Sequence, residues 1–143
     1  MALTFGACRF NLWWVHVDWS EYHIHRVSFA KTGEEGSVPP LLRAYCAGSL
    51  RETLSLRSVA TEEGAPYAAV YRAVCRIPYG ETATYGEIAR EYDTSPRAVG
   101  MAMRRNPTPL VIPCHRVVAK DGLGGFTPDI SIKRALLAME QKK

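Results

Sequence analysis

The stretch Asn106-Pro-Thr-Pro-Leu-Val-Ile-Pro-Cys-His-Arg-Val-Val118 restricts the folding of this chain more than any other. Pro107, Pro109 and Pro113 each lock φ and lack a backbone N–H, so neither a helix nor a central strand can run through them. They also bias Asn106, Thr108 and Ile112 toward extended backbone. The expectation is a stiff, non-helical approach with a short core strand at Leu110–Ile112, ending on Cys114. A thiol held in one place keeps the orientation advantage that a mobile nucleophile loses. Cys8, Cys46 and Cys75 lie in apolar stretches without flanking chemistry and read as small buried hydrophobes. Cys114 differs because His115 and Arg116 follow it, and a nearby base or cation favours the thiolate.

The residues before this stretch predict two helices joined by a tight turn. Thr84-Tyr-Gly-Glu87 has capping-box spacing, and the helix it starts is expected to reach about Tyr92. Ser95-Pro96 reads as an N-cap followed by a first-turn proline, opening a helix over about 96–105. The chain carries a net charge of +4 and has a pI near 9.0, which favours an acidic partner. A helix pair in a basic chain fits a helix-turn-helix. Its second helix places Ala98, Gly100 and Ala102 among Arg97, Arg104 and Arg105. Small side chains allow close approach to a sugar–phosphate backbone or entry into the minor groove, at the cost of base specificity.

The 143 residues suffice for one medium or two small domains. Residues 1–60 read as a small α/β unit: strands over 7–17 and 22–30, a short helix from Pro40 to near Gly48, and a third strand around Leu54 and Leu56. Residues 59–65 read as a polar linker, and Pro66 as the first turn of an amphipathic helix reaching about Arg76. Residues 61–143 form the second expected unit. A final helix is expected over 130–141 with Ile132, Leu136 and Met139 as its apolar stripe. Glu140 lies beside that stripe, so its carboxylate needs a partner, either an Arg or Lys or His115.

Pro113-Cys-His-Arg-Val117 resembles the active-site signature of the O6-alkylguanine-DNA alkyltransferases, also called methylated-DNA–protein-cysteine methyltransferases. The resemblance runs through Ile77-Pro-Tyr-Gly-Glu-Thr82, Thr84-Tyr85, Arg97-Ala-Val-Gly100, Ala102-Met103, Asn106-Pro107 and Leu136-Leu-Ala-Met-Glu140, covering residues 66–143. It implies an abbreviated RNase H-like antiparallel sheet with a helix in the N-terminal part. It also implies a mostly helical C-terminal part containing the helix-turn-helix. The implied activity is direct, irreversible and stoichiometric transfer of an alkyl group from O6-alkylguanine in DNA to Cys114, after the base is flipped out.

The same resemblance implies roles. His115 would act as the base through a water, Glu140 would orient it, and Asn106 would brace the turn before Cys114. Tyr85 would donate to guanine N3. Thr127, where the family usually has Ser, would face O6 with its backbone N–H. Backbone of Cys114 and Val117 would accept from the exocyclic amine. Met103, Pro109 and Phe126 would wall the pocket, Phe126 replacing the usual Tyr, and Lys133 would support it electrostatically. Arg97 would enter the duplex in place of the extruded base. Ala98, Gly100, Arg104 and Tyr85 would lie against DNA. Met101 stands where many members have a second Gly.

Other classes are expected to fail. No apolar run has the length of a membrane span and no secretory pattern opens the chain, so the cytosol, or the nucleus of a eukaryote, is the expected compartment. The four cysteines form no CxxC pair. His23 and His25 would share one face of a strand, yet they lack further ligands at metal spacing, so no metal is expected. No cofactor is implied, and a monomer acting on double-stranded DNA is expected. Three alternatives remain: a non-catalytic lesion-binding relative, which would lack a cysteine at position 114; a helix-turn-helix regulator with an incidental cysteine; and a cysteine hydrolase.

Overall fold

The computed structural model describes residues 2–142. Strands β1 (Thr4–Phe10), β2 (Trp13–Trp19) and β3 (Ile24–Ala30) form an antiparallel sheet in that order. The single strand expected over 7–17 is divided. Asn11 turns the chain at φ 56 and sets Phe10 opposite Trp13. Asparagine enters the left-handed region more readily than other residues with a side chain. Cys8, Phe10, Val15, Val17, Val27 and Phe29 alternate onto the buried face.

Helix α1 (Pro40–Cys46) lays Leu42, Tyr45 and Cys46 on that face. Gly48, at φ 78, ends it with the N–H of Ser49 on Ala44 O. The free edge of β1 is covered where Gly36 N–H donates to Ala7 O. A Cβ on Gly6 would lie 1.8 Å from Ser37 O, so only glycine lets that segment cross.

Leu54 and Leu56 do not form a strand. The outer edge of β3 is already used, since Ile24 N–H donates to Arg57 O and Val27 N–H to Pro107 O. No ladder is left for 54–56, and Leu54 is buried from irregular chain instead. The expected linker is ordered as well. Ser58 caps a 3-10 turn over Val59–Thr61, and Ala60 is buried. Helix α2 (Ala68–Cys75) begins after Pro66 rather than at it, because Tyr67 sits at φ 61 and cannot continue a helix backward.

Helices α3 (Tyr85–Glu91) and α4 (Pro96–Arg104) start where their caps predict. Thr84 and Glu87 form the reciprocal capping box, and the Ser95 side chain accepts from Ala98 N–H. Ile88, Ala89, Val99 and Ala102 join the two helices in one cluster with α2. Strand β4 (Ala83–Thr84) pairs in parallel with β5 (Val117–Val118), tying the start of α3 to the chain just after Cys114. Helix α5 (Ile130–Gln141) buries Ile132 and Leu136 with the sheet, α1, Leu110 and Val111. Each such aliphatic side chain contributes roughly 1.5–3 kcal/mol by leaving water. Among the described residues no helix is long and apolar enough to cross a membrane.

Candidate active site

The approach to Cys114 is stiff but is not a strand. Leu110 lies at φ 78 and reverses the chain, and Ile112 N–H donates to Thr108 O at 2.9 Å. Three prolines leave this segment short of backbone donors, and Asn106 makes up the deficit. Its Nδ2 donates to Ile112 O at 2.9 Å, and its Oδ1 accepts from Thr108 N–H at 2.9 Å. Cys114–Arg116 then form a single 3-10 turn.

Cys114 sits at the floor of a groove of about 900 Å³. It is 7% exposed. One wall is α4, along its whole length, with Arg97, Gly100, Met103 and Arg104. Tyr85, Asn106 and Pro109 form a second side, and Gly125, Phe126 and Thr127 a third. The fourth side comes from β3, through Arg26, Val27, Ser28 and Phe29. The Phe29 and Phe126 rings meet edge to face at 5.8 Å. Gly124, at φ 77, is required by a neighbouring side chain: a Cβ there would lie 2.6 Å from the Tyr85 hydroxyl. The loop at Gly124 thus closes tightly on Tyr85.

Cys114 and His115 are neighbours whose side chains diverge. His115 is fully buried behind the groove, with Nε2 2.7 Å from Glu140 Oε2. Its Nδ1 has no hydrogen-bond partner among the described residues. Arg116 is also buried and grips the same carboxylate, Nε to Oε1 and Nη2 to Oε2, both at 2.9 Å. Its Nη1 donates to Ile77 O at 2.9 Å. Gly80 N–H donates to Oε1 at 3.1 Å, and the Tyr45 hydroxyl donates to Oε2. Both partners weighed for Glu140, an arginine and His115, are therefore present together.

These contacts set the charges. Burial opposes ionisation of Glu140, but hydrogen bonds from His115, Arg116 and Tyr45 prevail and hold its carboxyl far below the usual range. Burial lowers the His115 pKa, and Glu140 restores only part of it, so the imidazole is neutral near pH 7. Burial pushes the Cys114 thiol up, while the Asn106 side chain and Lys133 pull it partly back. Arg116, spent on Glu140, does not activate the thiol. Cys114 therefore rests as a thiol, with a neutral imidazole behind it, rather than as a standing thiolate. Lys133 is buried, donates to Val117 O at 2.7 Å and Gly125 O at 3.2 Å, and is pushed down to about 8 by burial. Burial raises the Tyr85 phenol, with a hydrogen bond from the Gly125 backbone working the other way.

A buried thiol beneath a basic, small-residue helix matches a known sequence pattern. The profile of the family described as 6-O-methylguanine DNA methyltransferase, DNA binding domain, covers residues 65–142. The chain belongs to this family.

The family's curated methylated-DNA–protein-cysteine methyltransferases include one from Saccharolobus islandicus, 46% identical over 96 residues, 66% of this chain and 60% of that protein. Another, from Methanocaldococcus vulcanius, is 57% identical over 70 residues, 49% of this chain and 44% of its own. The chain thus matches about half the length of these relatives. A solved structure of OGT from Mycobacterium tuberculosis in complex with DNA superposes with a TM-score of 0.79 at 29% identity, covering 96% of this chain and 92% of that one.

Cys114, Tyr85, Asn106, Met103, Pro109, Phe126, Thr127, Arg97, Gly100 and Arg104 share the groove. Ala98 is exposed on the same helix, and Lys133, Val117, His115 and Glu140 lie behind. Cys114 O accepts Val117 N–H and Val117 O accepts Lys133, so both carbonyls already hold one donor. Sequence reasoning gave residues 1–60 no chemistry, yet β3 walls the groove and Tyr45 reaches Glu140. It also left out Arg116 as a member of the charge network. No spacing signal could have found Tyr45 or β3, which meet the site only through the fold. His23 and His25 are engaged otherwise, with Glu62 and Ser20 respectively.

Proposed function

We propose that this chain repairs DNA by taking the alkyl group of O6-alkylguanine onto Cys114. The observation that carries the reading is the placement of one buried thiol on the floor of a groove whose wall is α4. The α3–α4 pair would act as the helix-turn-helix, with Ala98 and Gly100 letting α4 approach the minor groove and Arg104 meeting phosphate. The alkylated base must leave the stack to reach the thiol. Arg97, exposed at the first turn of α4, would fill the space it leaves.

The thiol proton passes to His115 Nδ1 through a water as sulfur attacks the alkyl carbon. The S–C bond forms and the C–O6 bond breaks, with its electron pair retained by the guanine. Tyr85 donates at N3 as that charge develops, and the proton taken from the thiol balances the one the guanine gains. Thr127 N–H faces O6, while Met103, Pro109 and Phe126 hold the base. Lys133 favours the developing thiolate, and Asn106 keeps Cys114 in line. The thioether is stable and nothing in the groove could reverse it, so each molecule acts once. We place this work in a monomer on double-stranded DNA, in the cytosol or nucleus, without metal or cofactor. Residues 1–60 and 61–143 would be its two units.

The test is incubation with duplex DNA carrying labelled O6-methylguanine, followed by peptide mapping. One label per protein, on the peptide containing Cys114, is the expected result. Label remaining on DNA would indicate a lesion binder or a regulator, and turnover on esters would indicate a hydrolase.

A further inference from the structure

Tyr45 lies on α1, far from Cys114 in sequence, and its side chain is fully buried. Its hydroxyl donates to Glu140 Oε2 and stands 3.2 Å from His115 Nε2. Burial, with Glu140 beside it, keeps the phenol protonated far above its ordinary range. A phenol has one proton, and here it goes to the carboxylate. Its oxygen therefore faces His115 Nε2 as an acceptor. Glu140 Oε2, 2.7 Å away, is an acceptor too. Two acceptors at Nε2 require the hydrogen there. A neutral imidazole carries only one N–H, so Nδ1 keeps its lone pair.

We propose that Tyr45 is a positioning residue for the transfer reaction, which together with Glu140 holds His115 in the Nε2–H orientation, so that Nδ1 keeps its lone pair as a free acceptor. This rests on the reading that Cys114 takes the alkyl group. It gives residues 1–60 a part in the chemistry: a helix of the N-terminal part completes the base. A purely structural account is available, since Tyr45 packs edge to face on Tyr79 at 6.1 Å. The two accounts differ in what the hydroxyl does, so the test removes only the hydroxyl.

Tyr45→Phe keeps the ring and its packing on Tyr79. Glu140 then loses one of its donors and attracts a proton on His115 more strongly. The other charged and titratable groups around the pair stay as they are: Arg116 and Lys133 near His115, and Tyr79, with Arg51 against its ring, near Glu140. The acid limb of the rate–pH profile for methylation of Cys114 reports loss of the neutral imidazole. Its midpoint should move up by about half a unit to one unit, and the plateau should fall about tenfold as one of the two acceptors that orient the Nε2–H imidazole is lost. Leu42→Val, on the same helix and buried in the same cluster, should lower the melting temperature without moving the midpoint. In the unmodified protein, nitrogen NMR should find His115 protonated at Nε2 and bare at Nδ1 near pH 7. A Tyr45→Phe midpoint equal to the parent's, a shift equally produced by Leu42→Val, or an Nδ1–H tautomer in the parent each overturns the proposal. A parent that takes up no methyl group sinks the proposed activity instead, and the NMR measurement still decides the tautomer.

Discussion

On the groove side of the Cys114–Arg116 turn, charged groups stand open, whereas on the far side each one is buried and hydrogen-bonded. Neither Arg97 nor Arg104 forms an ion pair among the described residues. Behind the turn, Glu140 accepts from His115, Arg116, Tyr45 and Gly80. Under the proposed function the difference separates two tasks. Charges meant for a polyanion gain by staying solvated until it arrives, because phosphate contacts form by releasing counterions. Charges meant to orient a base must already be fixed, since reorganising them during reaction would cost rate. The thiol lies on the boundary, with the open groove above and the paired network behind.

The comparison is tested most severely at the boundary. Cys114→Ser should reduce alkyl uptake by roughly a thousandfold or more, since a neutral hydroxyl is a far weaker nucleophile. Affinity for duplex DNA, measured by fluorescence anisotropy, should change less than about twofold, because the buried thiol would not meet phosphate. Appreciable transfer by the serine variant would remove Cys114 from its role.

The paired side should be costly to break. Glu140→Ala leaves Arg116 buried without a counter-charge, a change that typically costs about 3–5 kcal/mol and lowers the melting temperature by on the order of 10 °C. The sign of the pH effect follows from the depressed carboxyl. Its stabilising contribution is complete above the unfolded value of 4.5 and is lost as pH falls below that toward the folded value. Thermal melts from pH 7 to 3 should therefore fall less steeply for Glu140→Gln than for the parent. Parallel curves would show that the network does not hold the charge as described.

The open side should be costly to function but not to stability. Arg97→Ala should slow reaction with alkylated duplex DNA by roughly 10–100-fold, because flipping a paired base costs a few kcal/mol that Arg97 would offset. Reaction with free O6-benzylguanine should change less than about twofold, and stability by under about 0.5 kcal/mol. Equal losses on both substrates would reduce Arg97 to a phosphate contact.

The smallest effect concerns Lys133. Its folded pKa is lowered to about 8 from 10.5, so between these values the unfolded chain holds more protons than the folded one. Stability from this group should rise with pH across that window, by about 1–2 kcal/mol once relaxation of the buried site is allowed for. Denaturant melts of Cys114→Ser at pH 8 and 10.5 isolate the lysine from the thiol's own titration. A Lys133→Met change on that background should flatten the rise, and an unchanged slope would assign it elsewhere.

Much of this architecture was legible because its causes are local. The starts of α3 and α4 follow from Thr84 with Glu87 and from Ser95 with Pro96, and the course of α5 from its apolar spacing. The errors have one origin. Leu54 and Leu56 alternate like a strand, but Arg57 and Pro107 had taken the edge they needed. Leu110–Ile112 is apolar enough for a core strand, but Leu110 reverses the chain. The flanking Arg116 was expected to activate the thiol, and it turns to Glu140 instead.

By itself the sequence determined the family, the Cys114–His115 pair and the helix that walls the groove. Prolines, caps and apolar periodicity act over a few residues and are written in order along the chain. Only the tertiary structure decided which way each side chain at 114–116 points, that Arg116 and Tyr45 share one carboxylate, and that β3 closes the groove. Those outcomes depend on which buried donors and acceptors find one another across the fold. A buried carboxylate must collect every donor within reach, and which donors those are is a property of packing that no local pattern encodes.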